Sequence, residues 1–222
     1  MTFEQSIDIV ASEDGALAVL DRGGARVCLE SRHELAGVAR GLAFHGDQLA
    51  LLIGDEIRRL NTDVVISLPS GARAIAFAMS GSLLVGFADR LVRFGDRALE
   101  ISLPDGFDLR SMTVDPGGYW LGGARSIVGY RPTPDGVSVR AEWPTNAPVH
   151  ALSPGPDGAV YALAGAEFLR NGEVVGEVDL VGIARRGKDL IGLGADSLVD
   201  LNRYVPAAPT ELPEIEFPPC ES

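Results

Sequence analysis

The sequence predicts an all-β fold, a six-bladed β-propeller of short three- to four-stranded antiparallel blades. Three observations carry this expectation. A unit of apolar strand, glycine turn and second apolar strand recurs six times along the 222 residues. No long stretch keeps a 3.6-residue apolar period, so helix content should be low. Glycine and proline, at 27 and 14 residues, give the turn-rich composition that many short strands need. With 46% hydrophobic and 23% charged residues the chain is no disordered or low-complexity segment.

The six hairpin units are IDIVASEDGALAVL (7–20), GLAFHGDQLALLI (41–53), AIAFAMSGSLLVGF (74–87), SMTVDPGGYWLGG (111–123), ALSPGPDGAVYALA (151–164) and GIARRGKDLIGLG (182–194). Their anchors are Gly15, Gly46, Gly81, Gly118, Gly158 and Gly187, spaced by 29 to 40 residues. A third strand follows each unit: ARVCL, EIRRL, RLVRF, SIVGYR, AEFLR and SLVDL. A fourth follows at least four of them, as VVISL, ALEISL, VSVRAEW and EVVGEV. Asp14-Gly15, Asp157-Gly158, Gly95-Asp96 and Asn171-Gly172 supply hairpin turn chemistry. A large single barrel or a sandwich is the alternative architecture, and the repeated unit argues against it. One blade cannot bury its apolar faces alone, so neighbours must stack and the ring must close. Residues 1–205 are expected to form this one domain. The Pro-rich acidic tail 206–222 holds Glu211, Glu214, Glu216 and Glu221, and either Glu214–Phe217 or Thr2–Gln5 could complete the last blade.

Nineteen basic and 31 acidic residues give a net charge of −12, with Lys188 the one lysine. The arginine bias fits the codon usage of a GC-rich bacterial genome. Such a field repels phosphate backbones and anionic lipid, so nucleic acid and membrane are not expected partners. No apolar run is long enough to span a bilayer, and MTFEQSIDIV is no secretion signal, which favours a cytoplasmic location. The two cysteines, Cys28 and Cys220, make neither a disulfide framework nor a zinc site. They pair if the termini meet and otherwise form one buried and one tail thiol.

DPGGYWLGGARSIVGYRPTPDGVSVRAEWP (115–144) resembles a blade of the streptogramin-lyase, gluconolactonase and NHL group of propellers, and residues 154–178 repeat it with Tyr161 at the Trp120 position. The resemblance implies the propeller fold. In gluconolactonase-like members it also implies a cation held by Glu, Asn and Asp at the channel mouth, and in streptogramin lyase late-chain His and Glu residues. Here the residues that should open the inner strands, counted back from the anchor glycines, are Ile7, Arg40, Arg73, Arg110, His150 and Val181. A cation among three arginines is electrostatically wrong, so no metal, no cofactor and no catalytic residue carry over.

No nucleophile elbow, zinc-protease pair, P-loop or dinucleotide fingerprint occurs. Of the three histidines, His33 and His45 read as polar loop residues, as does His150 unless it joins the rim. Arg40, Arg73, Arg110 and His150 at equivalent places in four successive units predict a cationic rim, suited to forked recognition of a carboxylate or phosphate. Structural pairing is the competing role, with Asp55, Asp89, Asp196 and Glu167 as the expected acids. Arg58-Arg59 and Arg185-Arg186 read as solvated edges, and Trp120 should pack between blades with Tyr119 or Tyr130 at the surface.

The favoured function is a non-enzymatic binding module whose face captures a peptide, a protein or an anionic small molecule. One such role is that of accessory protein to a bacterial modifying enzyme. The alternatives are a lyase- or lactonase-like enzyme with His150 as general base, and a scaffold that uses its blade edges.

Overall fold

Apolar strands sandwiched on both faces need near-continuous hydrophobic runs, whereas strands facing water on one side alternate. Both patterns recur along this chain, and they sort the strands by distance from a central axis. The computed structural model describes residues 6–11, 16–21, 24–27, 31–34, 38–46, 48–60, 62–94, 99–133, 136–195 and 197–203. They form only β-strands and one closing turn of 3-10 helix at Leu201–Arg203.

The first sheet joins β1 (Ser6–Ala11), β2 (Leu17–Asp21), β3 (Gly24–Val27) and β4 (Ser31–Glu34). The second joins β5 (Ala39–His45), β6 (Gln48–Ile53), β7 (Glu56–Arg59) and β8 (Val65–Ser67). The third holds β9 (Ala74–Phe77), β10 (Leu83–Gly86), β11 (Arg90–Phe94) and β12 (Leu99–Ser102). The fourth holds β13 (Ser111–Asp115), β14 (Gly118–Gly122), β15 (Ser126–Thr133) and β16 (Gly136–Pro144). The fifth holds β17 (Val149–Pro154), β18 (Val160–Ala164), β19 (Glu167–Arg170) and β20 (Glu173–Glu177). The last has β21 (Gly182–Arg186), β22 (Asp189–Leu193) and β23 (Leu198–Asp200). Each is an antiparallel meander in chain order. Five complete four-stranded blades, rather than six, are therefore present among the described residues, and the last sheet has three strands.

Second strands such as β2 and β14 are buried at every residue, while the fourth strands β8, β16 and β20 are largely exposed. Apolar side chains meet between successive sheets: Leu20 with Leu51, Leu52 with Val85, Leu84 with Leu121, Trp120 with Leu169, and Leu163 with Ile183 of β21 and Leu190 of β22. Ile9 and Val19 of the first sheet pack with Ile191 and Leu193 of the last. The first and last sheets thus close on each other through apolar contact.

Five of the anchor glycines, Gly46, Gly81, Gly118, Gly158 and Gly187, take positive φ, which explains why glycine recurs at those turns; Gly15 lies outside the described residues. Asn171 (φ 51°) and Gly172 (φ 80°) form the two-residue turn expected of that pair. The motif behind the blade-four resemblance is a structural clasp. The Asp115 carboxylate accepts bonds from the Gly117 amide (2.7 Å), Trp120 Nε1 (2.7 Å) and both terminal nitrogens of Arg140 (2.9 Å each). The Arg140 guanidinium lies 4.3 Å over the Trp120 ring, and Trp143 stacks on it at 4.7 Å. Asp157, Tyr161 and Arg170 repeat the clasp in the fifth sheet.

Several expectations need correcting. Tyr119 and Tyr130 are both buried, 4% and 5% exposed, and neither reaches the surface. His33 is on β4, a strand whose SRHE sequence lacks any apolar alternation, and His45 ends β5 against Phe77 rather than sitting in a loop. Cys28, Cys220, Asp14-Gly15, Gly95-Asp96, Asp196, Thr2–Gln5 and the tail 206–222 lie outside the described residues.

Candidate functional site

The first strand of every sheet lines one central cavity of about 500 Å³. These strands carry the chain's equivalent positions in register. Gly41, Ala74, Ser111, Ala151 and Gly182 pair respectively with Leu52, Gly86, Gly122, Leu163 and Leu193. The residue just before each is the position singled out in the sequence: Arg40, Arg73, Arg110, His150 and Val181. In β5 and β17 it forms a β-bulge, so Arg40 and His150 are set off from the ladder. The first sheet has the same bulge at Ile7. Arg73, Arg110 and Val181 instead donate their amides to the Gly86, Gly122 and Leu193 carbonyls at 2.8 Å.

The structure therefore brings Arg40, Arg73, Arg110 and His150 together from four successive sheets, all lining the cavity and all exposed to it. Their pairing differs from expectation. Asp55 accepts from the Gly71 amide, Asp89 pairs with Arg90, and Glu167 accepts from Asn146. The acid at the rim is Asp108, in the connection that leads into β13. Its Oδ1 accepts from Arg73 Nη1, and its Oδ2 from Arg110 Nη2 at 2.9 Å. Arg73 also reaches the Leu109 carbonyl at 3.3 Å. Hydrogen bonding from Arg73, then Arg110, holds the Asp108 carboxyl below its ordinary range despite some desolvation. Asp108 sits at φ 52°, a left-handed conformation that Asp tolerates better than most residues. The spacing Asp108-x-Arg110 is visible in the sequence, but its second partner, 35 residues earlier, is not.

One carboxylate thus serves two guanidinium groups, which leaves one positive charge in excess. Arg40 adds another, with no acidic partner within salt-bridge distance among the described residues. His150 Nε2 donates to the Leu180 carbonyl at 3.3 Å, which leaves Nδ1 as the acceptor in the neutral ring. Arg185, read as a solvated edge, instead lines the cavity near the far end of β21, with its Nε bonded to the Gly187 carbonyl at 2.9 Å.

One level below the rim the register ring is Asp8, Gly41, Ala74, Ser111, Ala151 and Gly182. Five members are small, so the channel stays open beneath the arginines. Asp8 is the exception, and it is the one acid among the lining residues. Its carboxyl accepts the Ile9 amide at 2.9 Å and a bond from the Leu42 backbone on β5. Burial outweighs these bonds and pushes Asp8 up to about 7. Deeper still are large apolar residues, Ile9, Leu42, Ile75 and Leu152 among them. Among the described residues no three His, Cys, Asp or Glu side chains converge to hold a metal ion.

No family model matches the sequence, and no curated protein does. Solved structures do match in fold. A streptogramin B lyase superposes with a TM-score of 0.64 at 18% identity, over 91% of this chain and 81% of its own. Virginiamycin B lyase from Staphylococcus aureus gives 0.64 at 17% identity, over 98% and 87%. The WD40 β-propeller domain of Doa1 gives 0.63 at 12% identity, over 90% and 93%. The chain thus shares the propeller fold of the lyase group that its blade-four motif resembles, and equally that of a propeller outside that group. The fold by itself assigns no activity.

Proposed function

We propose that this protein is a binding module, a propeller whose central channel captures an organic anion at an arginine-lined mouth. In this reading the three-stranded sheet β21–β23 is a sixth blade, because it packs on both its neighbours and closes the ring. The observation that supports the function is the convergence of Arg40, Arg73, Arg110 and His150 on one cavity, with Asp108 the one acid paired to them among the described residues. Asp108 fixes two of the arginines in place, and Arg40 remains available to a ligand. Pre-positioned guanidinium forks suit a carboxylate or phosphate, and the cavity volume is that of a small-molecule site. The lyase-like reading gains nothing from the site. His150 is tied to a backbone carbonyl, Asp108 is tied to two arginines, and Asp8 lies a level deeper.

Titration calorimetry with a panel of organic carboxylates and phosphates tests the proposal. Arg40→Ala is expected to weaken binding about tenfold or more. Asp108→Asn keeps a residue that tolerates the left-handed turn and removes the rim's negative charge, so it is expected to tighten binding severalfold. Unchanged affinity in both variants, with melting transitions preserved, refutes the rim as the binding site.

A further inference from the structure

Asp8 is the feature of the cavity that anion capture leaves unused. A carboxyl group in a ring of glycine, alanine and serine has no local packing reason to be there. The sequence places small residues at the same level in all five other sheets. Its side chain is directed across the boundary toward β5, as the equivalent glycines show: a Cβ on Gly41 would approach Ile75 and one on Gly182 would approach Ile9, each on the next inner strand. There it accepts two backbone amides and meets no cation among the described residues.

The charged groups on the strands packed against β1 are Asp21 on β2, Arg40 and His45 on β5, Arg185 and Arg186 on β21, and Asp189 on β22. None of them stabilises the Asp8 carboxylate, whose raised pKa comes from burial alone against the two backbone bonds. A half-buried carboxyl without a cationic partner is disfavoured as an anion, and a cation entering the cavity beside it reduces that cost.

The cavity therefore carries Arg40 and Asp8 at adjacent levels of its lining, the arginine at the mouth and the carboxyl beneath it. Arg40 and the Asp108-clamped arginines make the mouth positive, and the Asp8 carboxyl beneath it is a group whose anion a bound cation would stabilise. The next level below Asp8 includes Ile9, Leu42, Ile75 and Leu152, apolar residues whose side chains pack largely between the sheets. Resting on the anion-capture reading, we propose that the ligand is zwitterionic, a small α-amino carboxylate with an apolar side chain. Its carboxylate meets Arg40 at the rim, its ammonium meets Asp8, and its side chain lies along the Leu42 and Ile75 level. A ligand with the carboxylate alone would leave Asp8 without a cationic partner, and one with the amine alone would enter against the arginine field.

The test uses the whole chain and three probes of one skeleton: phenylalanine, 3-phenylpropanoate, which lacks the amine, and 2-phenylethylamine, which lacks the carboxylate. Leucine and a leucine dipeptide extend the series to other apolar bodies. Wild type is expected to bind at least one amino carboxylate about tenfold more tightly than its deaminated counterpart. Asp8→Asn, an isosteric change, is expected to bring the two to equal affinity and to leave 3-phenylpropanoate unchanged. Arg40→Ala is expected to weaken both. If the deaminated acid binds wild type as well as the amino acid does, while Arg40→Ala weakens it, the zwitterion proposal falls and anion capture stands. If neither probe class binds wild type, or binding ignores Arg40, both fall.

Discussion

Two aspartates divide the electrostatics of the channel between them, and their environments push them in opposite directions. Asp108 is held as an anion by the two guanidinium groups it bridges. Asp8 is pushed toward the neutral acid by desolvation, to about 7 from an ordinary value near 3.8. The linkage sign follows from the direction of the shift. A carboxyl whose folded-state pKa is raised binds protons more tightly when folded, so its favourable contribution is complete below the unfolded pKa. It is lost as pH rises toward 7. Asp8→Asn removes that loss. Thermal melts of this variant and wild type are expected to nearly coincide around pH 4 and to diverge as pH rises, with Asp8→Asn melting higher at pH 8. An equal offset at both ends of the range would mean that Asp8 does not titrate as its burial implies.

At the scale of the strand and turn, glycine serves two separable purposes. At Gly158 (φ 77°) an added Cβ would have nothing within 4 Å, so alanine there costs only the left-handed backbone, about 1–2 kcal/mol. Gly118 (φ 144°) lies where β14 meets β15, and a Cβ there would collide with the Tyr130 carbonyl. Gly118→Ala is expected to cost clearly more than Gly158→Ala, by about 2 kcal/mol or more in denaturant unfolding. Equal costs would show that β15 can move aside.

Such turns make the repeat legible, because each glycine marks a backbone requirement the sequence cannot hide. Strands without alternation are not legible. β4 reads SRHE and carries no strand signal, although it completes the first sheet. The DPGGYW run (115–120) is legible as a motif, yet its cause lies far along the chain: Arg140, 25 residues away, supplies the charge that Asp115 answers. Burial alone would raise the Asp115 carboxyl, and bonds from Arg140 and Trp120 overcome it and hold it low.

At the scale of the whole molecule, repeat equivalence is the device that turns distant residues into one site. Counting back from anchor glycines places Arg40, Arg73, Arg110 and His150 at one level because their units enter the ring in the same register. The same counting does not show what faces that level from a connection or from the next level down, so Asp108 and Asp8 emerge only from the structure. Arg185 is hidden for a related reason. A doublet of arginines at a strand's end resembles a solvated edge until the inner end of that strand is known to border a channel. Closure is the property of the molecule most exposed to its ends, and the apolar contact of Ile9 and Val19 with Ile191 and Leu193 answers it without requiring a fourth strand in the last sheet. The proposed capture of an organic anion rests on these features of the channel rim. Crystals of the protein soaked with 4-iodobenzoate test that role most directly, because the iodine's anomalous signal locates the ligand independently of phase bias. One dominant site is expected, with the carboxylate against Arg40 and the iodophenyl ring directed into the channel, and that site should vanish in Arg40→Ala crystals. Anomalous density only on the outer blade edges, with the channel empty, would contradict it.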